Sequence, residues 1–315
     1  MVHDWVRAHP VLGFWLVAVA IELAVIPLFL LSGAQQGLDL ALEASGIDFN
    51  TDLVTAVRVA FADSRALPGL TLALVQVAAP DLAVLVVCWI LGNGELGRVR
   101  RRFRAWSPAV GWRTGLRLWL LAVVVFAGLN LATAGLNHLT ARDLGFEWNV
   151  APLLWPFVVG LLVTMFLDAG AVFEENGWRG FALPRLQERY TPLRASLLLG
   201  LAWGAWHLPV KFDLLGYGAG PAAAIVAVLL AKFCCLTIVM TWFVNRAGLA
   251  TVLAIALHGL SNDSVRLGGF VFGDSARAYL VSEVNLLIPL AVAALVTVVA
   301  TRGRLGFSPP AEARG

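Results

Sequence analysis

Two histidines, two adjacent glutamates, an arginine and an asparagine stand within or beside long apolar runs. Ionisable groups are expensive in such places and mark function. Glu174 and Glu175 open the run Glu174-Glu175-Asn176-Gly177-Trp178-Arg179. Adjacent carboxylates repel and need a neutralising partner. Arg179 follows Glu175 by four residues, the favourable helical order for an ion pair. Glu174 sits about 100° round the helix and points to a different face. Of the five histidines (His3, His9, His138, His207 and His258), only His207 and His258 lie in apolar spans. His207 follows Trp203 by four residues, so the indole can wall one side of the imidazole. His258 precedes Asn262 by four, again on one helix face.

One carboxylate and two imidazoles are a known ligand set for catalytic zinc, with a fourth position open to water. Glu174, His207 and His258 are therefore candidate ligands for zinc or another divalent ion, which would make hydroxide available near neutral pH. Without metal, a desolvated glutamate can activate water directly, with histidine as its proton partner. Asn262 can donate its amide N–H to a developing oxyanion. Both schemes are hydrolysis of a carbonyl compound, with a peptide bond as the leading substrate. The sequence has no HExxH, GxSxG or Walker A run, so those sites are absent.

Depth arithmetic says how the chain could bring these groups together. Glu174 and His207 are 33 residues apart. A hairpin turn at Tyr190-Thr191-Pro192 places both roughly 23 Å along antiparallel helices. His258 lies roughly 15 Å up its own helix from a turn at Asn245–Gly248. The match requires the Glu174 helix to run on to about Arg189. The apolar stretch before it must then break, with Pro152, Pro156, Gly170, Gly177 and Gly180 as the candidate places.

The composition supplies the elements. The 315 residues are 59% hydrophobic and 14% charged, with a mean hydropathy of +0.81. Soluble domains carry about 25% charge, which excludes a water-soluble enzyme. Long unbroken apolar runs exclude a barrel, leaving an all-α polytopic membrane bundle. Eight runs approach the roughly 20 residues a span needs: Val11–Ser32, Gly69–Gly92, Leu116–Gly135, Ala151–Phe173, Leu193–Val210, Pro221–Asn245, Gly248–Asn262 and Val281–Thr301. Glu22, an over-long apolar stretch and a weak n-region argue against a signal peptide at the first. Cys88, Cys234 and Cys235 all lie in apolar runs and suit neither a disulfide framework nor zinc. The remaining intramembrane charges, Glu22, Asp81, Asp168 and Lys232, suit internal pairing, with Lys232 as the cation.

In order, Glu174-Glu175-x-x-x-Arg179, Trp203-x-x-x-His207 and His258-x-x-x-Asn262 resemble the three motifs of the CPBP family (CAAX protease and bacteriocin-processing, or Abi), related to type II CAAX prenyl endopeptidases. The resemblance covers about Ala151 to Asp263 and includes the Gly-Trp-Arg-Gly-Phe-Ala-Leu-Pro-Arg-Leu context. Trp203 departs from the usual Phe. The resemblance implies an intramembrane metalloendopeptidase. Glu174 would be the water-activating or metal-associated carboxylate, and Glu175 and Arg179 would complete the acidic motif. His207 and His258 would be ligands or proton partners, and Asn262 the oxyanion donor. A prenylated substrate follows from no residue. The organisation expected is N-terminal helices over 1–150, with an insertion at 33–68 and a basic loop at 93–117; a protease core over 151–263; and a last helix with a disordered tail over 264–315. The competing readings are a non-catalytic scaffold or immunity protein, and a proton-coupled transporter.

Arginine and lysine set the orientation. With the N-terminus inside, 16 of the 23 fall on the inner side, 6 on the outer side, and Lys232 lies mid-span. Both termini and the Arg98–Arg117 loop are thus expected in the cytoplasm of a cell in whose plasma membrane the chain is embedded. The basic excess faces anionic lipid, so no nucleic-acid partner is needed to explain it. The expected partners are the bilayer and a membrane-associated peptide or protein. A cysteine placed in the Arg98–Arg117 loop should resist an impermeant thiol reagent in sealed cells and react once they are opened. Labelling of that loop in sealed cells, with none near Asp48, contradicts the orientation.

Overall fold

The computed structural model describes residues 2–47, 52–92, 94–144, 155–262 and 275–307. These are helical almost throughout and contain no strand; an isolated bridge joins Asp52 to Asp168. Helices α1 (Val2–Ala8) and α2 (Pro10–Leu31) lead into the insertion, which forms α3 (Ala34–Ser45) and α4 (Leu53–Ala62). Then follow α5 (Leu67–Val77), α6 (Ala79–Leu91), α7 (Glu95–Arg102) and α8 (Trp112–Thr140). The site-bearing part comprises α9 (Trp155–Leu167), α10 (Ala169–Glu175), a π-helical segment (Asn176–Ala182), α11 (Leu183–Arg189) and α12 (Pro192–Trp206). A 3₁₀ segment (Pro209–Tyr217) precedes α13 (Ala219–Arg246), α14 (Thr251–Asn262) and α15 (Ala276–Thr301).

Among the described residues, α2, α8, α13 and α15 are long and apolar enough to cross a membrane. The pair α5–α6, bent by 55° at its junction, is together long and apolar enough for a fifth crossing. The chain is an integral membrane helical bundle. The fourth, fifth and seventh apolar runs behave differently from straight spans. Among the described residues, their helices α9, α12 and α14 have 13, 15 and 12 residues, fewer than the roughly 20 of a straight crossing.

The fourth run breaks at Asp168, which was not among the prolines and glycines expected to break it. Asp168 leaves helical geometry (φ −62°, ψ 125°), and its side chain accepts the Ala171 N–H as an N-cap. A capping aspartate restarts a helix because it satisfies an amide the first turn leaves orphaned. From there the chain is continuously helical to Arg189, and Pro192 opens α12 at N1, where its missing N–H costs nothing. The hairpin therefore falls where expected.

Helix α13 packs along both α12 and α15, while α14 packs against α9, α10 and α8. The core centres on Trp178, Phe181, Trp203, Trp206 and Phe243. The 33–68 insertion builds a small core from Leu38, Ala41, Val59 and Ala66, packed against Leu70 of α5. Yet it is tied to the bundle: buried Asp52 caps α4 and bridges to Asp168. The tail also departs from expectation. Leu305 is buried and accepts the Asn245 side-chain N–H at 2.9 Å, so disorder does not begin at Arg302; residues 308–315 lie outside the described part.

Candidate active site

The paired glutamates close α10, and the wider π turn begins immediately after them. Insertions of π geometry cluster at functional sites, and here neighbouring helices hold one. Asp81 of α6 accepts the Asn176 side-chain N–H at 2.7 Å and the Gly177 backbone N–H at 2.9 Å. A Cβ on Gly177 would stand 2.9 Å from Pro80 Cβ and 3.0 Å from its carbonyl oxygen, so only glycine allows α6 this close. From α7, Arg102 donates to the Gly180 carbonyl at 2.6 Å.

The two carboxylates then part. Glu175 and Arg179 form an ion pair at 2.7 Å, both wholly buried. The same Glu175 oxygen accepts from His258 Nδ1 at 2.9 Å. An ionised carboxylate only accepts, so Nδ1 carries the proton and Nε2 is left for chemistry. Glu174 faces the other way. Its Oε2 accepts the indole N–H of Trp203 at 2.8 Å and that of Trp178 at 3.3 Å.

Glu174 Oε1 points into a gap that glycine keeps open. A Cβ on Gly170 would lie 3.1 Å from Glu174 Oε1, 3.2 Å from Asp168 Oδ1 and 3.7 Å from His258 Nε2. Asp168 Oδ1 in turn accepts the Asn262 side-chain N–H at 3.1 Å. His207 caps the end of α12. Its Nδ1 donates to the Trp203 carbonyl at 2.9 Å, which leaves Nε2 as an acceptor.

Trp203 is the hub. Arg179 lies 4.1 Å over its ring, and His258, His207 and Phe233 stand 5.0, 5.9 and 4.6 Å away between ring centres. Glu174, His207, His258 and Asn262 all line one cavity of about 490 Å³. Glu175 and Arg179 lie behind it as the buried support.

Residues 152–263 match the family described as type II CAAX prenyl endopeptidase Rce1-like. That stretch holds every group just named except Pro80, Asp81 and Arg102. The stretch is similar to this family. The chain is also 35% identical over 111 residues to CAAX prenyl protease 2 of Methanococcus maripaludis. That match covers 32% of this chain and 38% of the relative, so the chain spans well under half the length of the relative it matches.

In this CAAX-protease-like segment several contacts lay beyond the sequence reading. Trp178 follows Glu174 by four residues, so its bond was readable from helical spacing. Asp168 was visible as an intramembrane charge, but its hold on Asn262 joins residues 94 apart. Lys232 pairs with Glu283 at 2.5 Å, which corrects its expected pairing with Asp81, Asp168 or Glu22. Among the described residues, no three His, Cys, Asp or Glu side chains are gathered closely enough to enclose a metal ion. The tryptophan N–H groups also occupy one oxygen of Glu174. The set as arranged suits a carboxylate acting on water better than a closed metal cage.

The anchoring of the π segment is testable without any substrate. Asp81→Ala leaves the half-buried Asn176 amide and the Gly177 N–H without their acceptor. Each such group costs about 1–3 kcal/mol. Thermal unfolding in detergent should show a clear loss of stability, on the order of 2–4 kcal/mol. Unchanged unfolding shows that Asp81 does not hold the segment.

Proposed function

We propose that the chain is an intramembrane endopeptidase that hydrolyses a peptide bond of a membrane-associated protein or peptide, with Glu174 activating the water. The observation that carries this reading is the polar gap over Gly170, where Glu174 Oε1, Asp168 Oδ1 and His258 Nε2 converge. The nucleophile is a water taken from the cavity these groups line. Glu174 takes the water's proton as the water attacks the carbonyl carbon, and returns that proton to the leaving amine as the C–N bond breaks. Glu175 is a positioning residue: it fixes the His258 tautomer while Arg179 balances its charge. Asn262 spends one N–H on Asp168 and offers the other to the oxyanion. His207 Nε2 lies across Trp203 as a second acceptor or proton partner.

The family match over residues 152–263 and the name of the Methanococcus maripaludis relative both support a protease. Zinc or another divalent ion is the second form of the reading. Glu174, His207 and His258 would hold it, and it would supply hydroxide near neutral pH. The plasma membrane, with both termini in the cytoplasm, is the location we assign from the arginine distribution.

The test is cleavage of quenched fluorescent peptides by purified protein, with its metal content measured in parallel. Glu174→Gln should remove most turnover, by at least about 10². Asn262→Ala should slow it by about 10²–10³ while leaving metal content unchanged. Trp203→Phe, which deletes a hydrogen bond to a charged group, should slow it by about tenfold. Cleavage by Glu174→Gln at the unmodified rate sinks the reading, and loss of metal from Glu174→Gln, His207→Ala and His258→Ala alike favours its metal form.

A further inference from the structure

A second cavity, of about 530 Å³, lies between α2, α7, α11 and α12. Four arginines line it, Arg98 and Arg102 of α7 and Arg185 and Arg189 of α11. Glu95 ties the two helices together: its Oε1 pairs with Arg98 at 3.0 Å and its Oε2 with Arg185. Arg185 is fixed further. It donates to the Phe181 carbonyl at 2.9 Å and lies 3.7 Å over the Phe181 ring. Arg102 gives one N–H to the Gly180 carbonyl, and a guanidinium has five.

The charges around this cavity do not cancel. The carboxylates that line it are Glu95 and Glu188. Glu95 answers Arg98 and Arg185 together. Glu188 acts on Arg102 and Arg185 without a direct pair, and Arg104 adds a further positive charge near Arg102. Among the described residues, neither Arg102 nor Arg189 has a carboxylate within ion-pair distance. Four lining arginines against two glutamates leave a surplus of two positive charges, with His9 neutral. The rest of the wall is largely apolar. Leu12 of α2 and Leu198 of α12 line it and are 47% and 42% exposed. Leu16 and Leu201 continue those exposed faces about one turn farther along the same helices. Trp15 donates to the Ala202 carbonyl at 2.8 Å, which joins α2 to α12 behind the groove.

We propose that this cavity binds the phosphodiester headgroup of an anionic phospholipid, with its acyl chains laid along α2 and α12. Arginine forks match phosphate oxygens two at a time, and Arg102 and Arg189 have donors to offer. The apolar wall, open towards the bilayer, suits a ligand with tails rather than a free ion. The loop that carries Arg98 and Arg102 is the one that the arginine distribution assigns to the cytoplasmic side, where anionic lipids attract basic pockets. The cavity is also one side chain away from Glu174. Trp178 lines it and donates to Glu174 Oε2 at 3.3 Å, while Arg102 holds the Gly180 carbonyl of the π segment. A lipid bound here braces that segment from outside the cavity that holds Glu174. Its binding does not depend on which reaction Glu174 performs.

Lipid titration into the full chain, stripped of lipid in detergent, tests the site. Phosphatidylglycerol and phosphatidylcholine with identical chains are added separately, and bound molecules are counted by native mass spectrometry. Phosphatidylglycerol should bind about tenfold tighter, as expected for hydrogen bonds to charged groups, and should raise the unfolding temperature. Arg98→Gln combined with Arg189→Gln should reduce that preference to under about threefold. Both side chains are exposed and Glu95 keeps Arg185, so the fold is retained. Arg100→Gln combined with Arg101→Gln removes the same charge from exposed positions of α7 outside the cavity, and should leave the preference intact. Inorganic phosphate in large excess should leave the lipid bound, because it lacks the apolar contacts. Equal binding of the two lipids, or none, overturns the site. So does a preference untouched by the Arg98 and Arg189 changes or lost equally with the Arg100 and Arg101 changes. Displacement of the lipid by inorganic phosphate makes the cavity a site for a free anion and overturns the lipid assignment.

Discussion

Two adjacent carboxylates inside an apolar bundle are the constraint from which the rest of the site follows. Neither can be buried charged without partners. The fold answers each differently. Glu175 receives a full ion pair from Arg179 and a hydrogen bond from His258. Glu174 receives two indole N–H groups on one oxygen and keeps the other turned to the cavity. One glutamate is thereby fixed as support, and its neighbour is held ready to react.

That division explains the surrounding architecture. Four residues on from each glutamate, Trp178 reaches Glu174 and Arg179 reaches Glu175 from successive positions of the π turn. Asp81 and Arg102, from helices outside the family-matched segment, hold that turn. The N-terminal helices thus contribute to the site by fixing its most irregular backbone. Trp203 shows why the departure from the usual Phe matters. A phenyl ring could wall the histidine, but only the indole adds a donor for the Glu174 carboxylate.

Local chemistry was legible in the sequence. The Glu175–Arg179 pair, the hairpin at residues 190–192 and the sharing of one cavity by Glu174, His207 and His258 all follow from helical spacing and rise. The unread parts depend on contacts between distant segments. The break at Asp168 was obscured because an N-cap aspartate between two apolar stretches looks like an isolated membrane charge. Asp52 reaches Asp168 from the 33–68 insertion, and nothing in the spacing of that polar stretch signals the contact. The Lys232–Glu283 pair joins residues 51 apart on separate helices. Glu283 lies within the last apolar run, and comparing its depth with that of Lys232 was the signal available.

The division of labour between the two glutamates is tested most directly by comparing the unfolding stability of Glu174→Gln and Glu175→Gln protein in the same detergent. Glu174 carries no ion pair, so its neutral isostere should be as stable as the unmodified protein, or more so. Glu175→Gln strands the Arg179 guanidinium in the core, and breaking a buried pair from one side costs about 3–5 kcal/mol. A large loss for Glu175→Gln with none for Glu174→Gln is the result predicted. Equal losses, or a greater loss for Glu174→Gln, would contradict the account.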